Sequence, residues 1–154
     1  MSIKISAELQ KVLADEKTIK VLSTLTPEGE VHAAVKQSLF VDETGNLVYL
    51  EFFEKSQTNI DLVNSIWFDK NVSITAVTAD QKSWFILGKP VWTRVFGKEY
   101  EYFYRKAEAS NTNNDLVAVY YIQPLEYYEQ TYSVQQAQHK QKFPLYVHLD
   151  KYAE

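Results

Sequence analysis

Residues 46–62 read NLVYLEFFEKSQTNIDL. Up to Phe52 the run is branched and aromatic, as a strand should be. Over 57–68, Ile60, Val63, Ile66 and Trp67 recur at helical spacing. Between strand and helix stands Lys55-Ser56. Thr58-Asn59-Ile60-Asp61 has the form of a capping box, which makes Thr58 the expected cap of the helix. A helix start offers unpaired N–H groups and a partial positive charge. Capping alone does not account for a lysine and a hydroxyl immediately upstream, which add a full charge and a further donor of the kind a phosphate dianion requires. The stretch is therefore either a capped turn or an anion seat.

Upstream, Leu9, Val12 and Leu13 share one face of a short helix over about 6–15, with Ser6 as its cap. TIKVLSTL (18–25) alternates as a strand does, Pro27-Glu28-Gly29-Glu30 is a turn, and 31–41 returns as a second strand. Asp42 to Asn46 forms the next turn and leads into the third strand, 46–52. Downstream, 71–78 and 84–95 read as the fourth and fifth strands. Gly97 punctuates the end of the fifth strand, and 98–109 reads as a helix with Tyr100, Phe103 and Tyr104 inward. Residues 111–115 are a loop, and 116–132 a sixth strand with a break or bulge at Pro124. The tail is polar from Ser133, with a second apolar patch at 143–149. No repeat or linker interrupts the chain, so residues 1–154 are expected to form one domain, core about 18–132 and tail 133–154. Short strands, tight turns and few helices imply a mainly β fold, an antiparallel barrel with flanking helices.

Composition narrows the function. With 45% hydrophobic and 23% charged residues the chain is typical of soluble globular proteins. A net charge of −4 gives no electrostatic reason to expect nucleic-acid binding. The absence of cysteine removes thiol catalysis, disulfides and cysteine-bound metals. The start, MSIKISAELQ, lacks a signal-peptide core and no run is long enough for a membrane span, so a cytoplasmic protein is expected. His32, His139 and His148 fit no metal-ligand spacing. Glycines at 29, 45, 88 and 97 form neither a dinucleotide fingerprint nor a P-loop, and no serine lies in a nucleophile elbow. Any reaction would be carried by a cofactor. Of the rings, Tyr120-Tyr121 and Tyr127-Tyr128 put one side chain on each face of a strand, so one of each pair must meet something outside its own core. Trp84 and Trp92, an even number of residues apart, would share a side of a continuous strand.

The order of elements, carried by KVLSTLTPEGEVHAAVKQSLF (20–40), NLVYLEFFEKSQTNI (46–60), NVSITAV (71–77) and WFILGKPVW (84–92), resembles the FMN-binding split barrel superfamily of pyridoxamine 5'-phosphate oxidase-like and small flavin-binding proteins. The resemblance implies a six-stranded antiparallel Greek-key split β-barrel with flanking helices, dimerised so that FMN lies between two protomers. It implies that Lys55 and Ser56 hold the flavin phosphate, with Thr58 and Asn59 beside them. Val35, Lys36, Gln37 and Ser38 would face the isoalloxazine ring and ribityl chain, and Trp84 would touch a flavin from the other subunit. The implied activity is a flavin-dependent oxidoreductase with a small-molecule redox partner. The alternatives are a flavin-binding or stress-related module without turnover, or a split barrel that takes haem or a deazaflavin. The oxidases of the family place several arginines on phosphates, and this chain has only Arg94 and Arg105, so pyridoxamine phosphate oxidation is not expected.

Overall fold

A computed structural model describes residues 3–109 and 115–142. The apolar patch at 143–149, His148 and most of the 111–115 loop lie outside the described residues. In chain order the elements are α1 (Ala7–Ala14), β1 (Ile19–Leu25), β2 (Val31–Val35), β3 (Leu39–Val41), β4 (Leu47–Glu51), α2 (Gln57–Phe68), β5 (Val72–Val77), β6 (Ser83–Arg94), α3 (Lys98–Ala109), β7 (Ala118–Glu129) and α4 (Tyr132–Lys142). The strands form one sheet in the order β2-β1-β5-β6-β7-β4-β3, antiparallel at every pairing. The sheet curls into a half-barrel. The fold is the expected split barrel, with seven strands rather than six.

The extra strand arises because 31–41 is broken. Val31–Val35 pairs with β1 at one end of the sheet, whereas Leu39–Val41 pairs with β4 at the other. The intervening three residues carry the chain across and tie the two ends. The Lys36 N–H donates to the Lys20 carbonyl (2.7 Å), and the Leu50 N–H donates to that of Ser38 (3.0 Å). The Ser38 hydroxyl donates to the Leu50 carbonyl (2.6 Å). The Gln37 amide accepts from the Lys20 N–H (3.0 Å) and donates to the Thr18 carbonyl (2.9 Å). Val31, Ala33, Val35, Leu39 and Val41 keep one parity across the break, so a period of two runs on through it. Burial, not periodicity, marks the change: Val31 and Val35 are exposed, and Leu39 is sealed.

Irregularity also separates the two tryptophans. β6 loses register with β7 between Leu87 and Gly88 and again between Pro90 and Trp92, where proline cannot donate to a ladder. Pro124, expected at a break, is the residue opposite Gly88. A Cβ on Gly88 would come within 2.6 Å of the Ile122 methyl, so only glycine fits that crossing without a shift. The expectation that Trp84 and Trp92 share a side fails for this reason. Trp84 joins the main core with Leu9, Leu22, Ile74, Ile86 and Tyr120, while Trp92 packs on a second cluster of Val48, Phe103, Val119 and Tyr121 under α3. Tyr120 and Tyr121 divide the same way, so the ring that had to meet something beyond the barrel interior finds Trp92, stacked at 3.8 Å and 11°.

The first helix has the expected cap: the Ser6 hydroxyl accepts from the Leu9 N–H. The second does not. Ser56, not Thr58, is the N-cap of α2, its hydroxyl accepting from the Asn59 N–H at 2.9 Å. The helix therefore starts two residues before the capping-box pattern suggests. Thr58 sits inside the first turn, buried, its hydroxyl without a hydrogen-bond partner among the described residues. The tail read as polar forms α4, which buries nothing.

Candidate functional site

The closing segment and the end of β4 enclose a pocket of about 370 Å³ lined by Val35, Lys36, Gln37, Ser38, Tyr49, Leu50, Glu51, Phe52 and Phe53. All four residues expected to face a flavin ring thus meet in one cleft. Their polar groups are not equally available. The Gln37 amide is committed to the β1 edge, and the Ser38 hydroxyl spends its proton on Leu50 while keeping acceptor capacity. Lys36 extends over the Tyr49 ring, its ammonium 5.9 Å from the centroid, and supplies the cleft's cation.

Beneath the cleft lies a buried polar network that sequence reading missed. Glu51 ends β4 and is only 3% exposed. Its Oε2 accepts from the Tyr49 hydroxyl (2.8 Å) and the Phe52 N–H (3.1 Å), and its Oε1 from the Ser56 hydroxyl. Tyr120 stacks on Tyr49 (6.2 Å, 22°) and donates to the Asn59 side-chain oxygen at 2.5 Å. The other half of that amide, Nδ2, donates to the Glu54 carbonyl. Burial first, and then the negative Glu51, push both phenols upward, Tyr49 far above the ordinary range and Tyr120 to about 12. Both stay protonated donors. The signal for Glu51 was present in the quoted stretch, since a single carboxylate inside a run of apolar strand residues needs buried partners.

The 55–59 segment looks different in this light. Lys55 is exposed and makes no ion pair among the described residues. The Ser56 proton goes to Glu51 and its lone pair to the helix. Asn59 is held at both ends of its amide and Thr58 is sealed, so of the four residues only Lys55 stands open to a ligand. Trp84 lines none of this cleft and is 7% exposed within the main core. No group of three or more His, Asp or Glu side chains able to hold a metal occurs among the described residues. No helix among them is long and apolar enough to cross a membrane.

Comparison with solved structures agrees with the architecture. The chain matches HupZ of Group A Streptococcus at a TM-score of 0.69 and 16% identity, over 83% of this chain and 95% of that one. It matches an FMN-binding protein from Syntrophomonas wolfei subsp. wolfei at 0.61 and 18%, over 79% and 82%. An F420 reductase matches at 0.56 and 14%, over 77% and 94%. The chain shares the split-barrel fold of these proteins. No protein-family model and no curated protein sequence matches the chain.

Proposed function

We propose that this split barrel binds a flavin-type cofactor in the cleft between Val35–Ser38 and Tyr49–Phe53 and works as a homodimeric oxidoreductase. The observation that carries the reading is the convergence of the barrel-closing segment with the strand that leads into α2. It makes one concave site with a single cation, Lys36, over an aromatic floor. Aromatic and apolar walls with few convergent polar groups are what a flat heteroaromatic ligand needs. Lys36 would donate to a ring carbonyl or nitrogen, Ser38 Oγ would accept, and Phe52 and Phe53 would flank. Bound there, the flavin supplies hydride or electron transfer, and the protein supplies orientation and exclusion of water. The solved structures that share this fold include one described as FMN-binding and one described as an F420 reductase, which supports a flavin or a deazaflavin in this place.

A second copy completes the picture. Val31 and Val35 on the end strand β2, Phe53 beside the cleft, and Ile60, Val63 and Trp67 on α2 are all exposed apolar side chains. Val35 and Phe53 belong both to this apolar set and to the pocket wall. Covering that set with the same face of another protomer would close the cleft, consistent with an isologous interface.

The test is a titration of purified protein with riboflavin, FMN and a deazaflavin, read by fluorescence quenching and absorbance. Quenching by at least one is expected, and Lys36→Ala should weaken it roughly 10- to 150-fold if a charge-assisted hydrogen bond is lost. Reduction of the bound ligand by NADH or NADPH then separates an enzyme from a binder. Absence of binding by all three, or an intense Soret band on adding haemin, overturns the reading.

A further inference from the structure

We propose that Glu51 is a built-in anion that reads the polyol chain of the ligand and turns away a terminal phosphate. The inference rests on the flavin reading and specifies which form of the cofactor the cleft takes.

The place in question is the start of α2. The N–H groups of Gln57 and Thr58 have no acceptor among the described residues, and Lys55 stands open beside them. A phosphate would be drawn to such a terminus. In this chain a carboxylate is already anchored at the cap. Glu51 is 3% exposed, lines the cleft, and is held by three donors from Tyr49, Phe52 and Ser56. These contacts fix it, because swinging it away would strand a buried phenol, a backbone N–H and the cap hydroxyl together. The donor that Ser56 would otherwise offer a phosphate is spent on Glu51.

Two consequences follow for a ligand. A phosphate dianion at the α2 terminus would stand against a fixed negative charge within a partly dry site, where repulsion is poorly screened. A hydroxyl is suited to the same spot, since a carboxylate has about four acceptor sites and Glu51 uses three of them. Lys36, from the closing segment, takes acceptors, and Glu51, at the end of β4, takes donors. The cleft therefore complements a neutral ring with acceptor edges joined to a polyol, the chemistry of riboflavin rather than of its phosphate ester.

The experiment compares riboflavin and FMN affinities for wild type and Glu51→Gln, with circular dichroism as the folding control. A parallel arm titrates ¹⁵N-labelled protein with inorganic phosphate and follows the amides of Ser56 to Asn59. Wild type should bind riboflavin at least as tightly as FMN and leave those amides unmoved by phosphate. Glu51→Gln should shift the ratio toward FMN by roughly tenfold or more, the scale of one charge-assisted contact, and should gain phosphate-dependent shifts. A wild type that prefers FMN overturns the proposal, as does a variant with an unchanged ratio and no phosphate response. If Glu51→Gln does not fold, the wild-type ratio decides alone. If neither flavin binds, the cofactor reading fails, and the phosphate arm still tells whether Glu51 guards the helix terminus.

Discussion

Helices α1 and α2 both contribute to the main core, yet they bury opposite chemistry. α1 inserts Leu9 and Leu13 and leaves its polar residues outside, as a helix plugging a barrel should. α2 buries Thr58, Asp61 and Ser65 along with Leu62, and turns Ile60, Val63 and Trp67 outward, with Phe68 exposed at its end. Its inner face is thus more polar than its outer one. Asp61 is fully buried under the barrel wall, accepting from the Thr24 hydroxyl and the Gln57 amide at 2.7 Å each, with His32 Nδ1 3.8 Å away. The difference teaches that α1 is held by burial of apolar area alone, whereas α2 adds to Leu62 and Ile66 the buried hydrogen bonds of Asp61, with the Thr58 and Ser65 hydroxyls unpartnered among the described residues. An outward apolar stripe is a face shaped to be covered.

The largest effect expected from this contrast is on α1. Leu9→Ala removes a fully buried side chain from the main core, and the cavity it leaves should lower stability by about 2–5 kcal/mol in urea unfolding. Asp61→Ala should cost about 1–3 kcal/mol, because it strands the buried Thr24 hydroxyl with no acceptor. The two mechanisms are separable by a second substitution. Pairing Asp61→Leu with Thr24→Val removes donor and acceptor together and should recover much of the Asp61 loss. No comparable pair should rescue Leu9→Ala. Equal, unrescued losses at the two positions would dissolve the distinction between the helices.

Much of the fold was legible because its local signals agreed. The turn at Pro27–Glu30, the caps and spacing of the first helix, and the aromatic face of 98–109 all pointed one way and appear as α1, the β1–β2 hairpin and α3. What stayed hidden was every choice made by tertiary context. Periodicity tells which residues share a face, not which face is inside, so the helical spacing of Ile60, Val63 and Trp67 did not tell that they lie outside. Parity is blind to a strand that changes partners, so 31–41 read as one element. The cleft was legible on its 35–38 side, through the resemblance to split barrels. Its floor was not. Tyr49 and Glu51 stand two residues apart on β4, but Tyr120 comes from β7, and only the β4–β7 register stacks the two phenols and brings Tyr120 to Asn59.

The smallest effect on the fold itself should come from α2's outer face, and it sharpens the comparison most. Trp67 is 79% exposed, so Trp67→Ser should change the stability of the isolated protomer by no more than about 0.5 kcal/mol. Association is another matter. If the β2–α2 face is the interface of the proposed homodimer, its exposed tryptophan is a natural hot spot. Its loss should raise the dimer dissociation constant by about 30-fold or more, corresponding to roughly 2 kcal/mol. Sedimentation velocity across a concentration series checks this directly, with unfolding followed on the same samples. Val35 and Phe53 join that face to the cleft, so the monomerised variant should also bind flavin more weakly although no residue of the pocket wall has changed. A wild type that sediments as a monomer at micromolar concentration would leave α2's apolar stripe without its partner. A dimer that survives Trp67→Ser intact would place the interface on another surface, and the cleft would then have to be completed by a single chain.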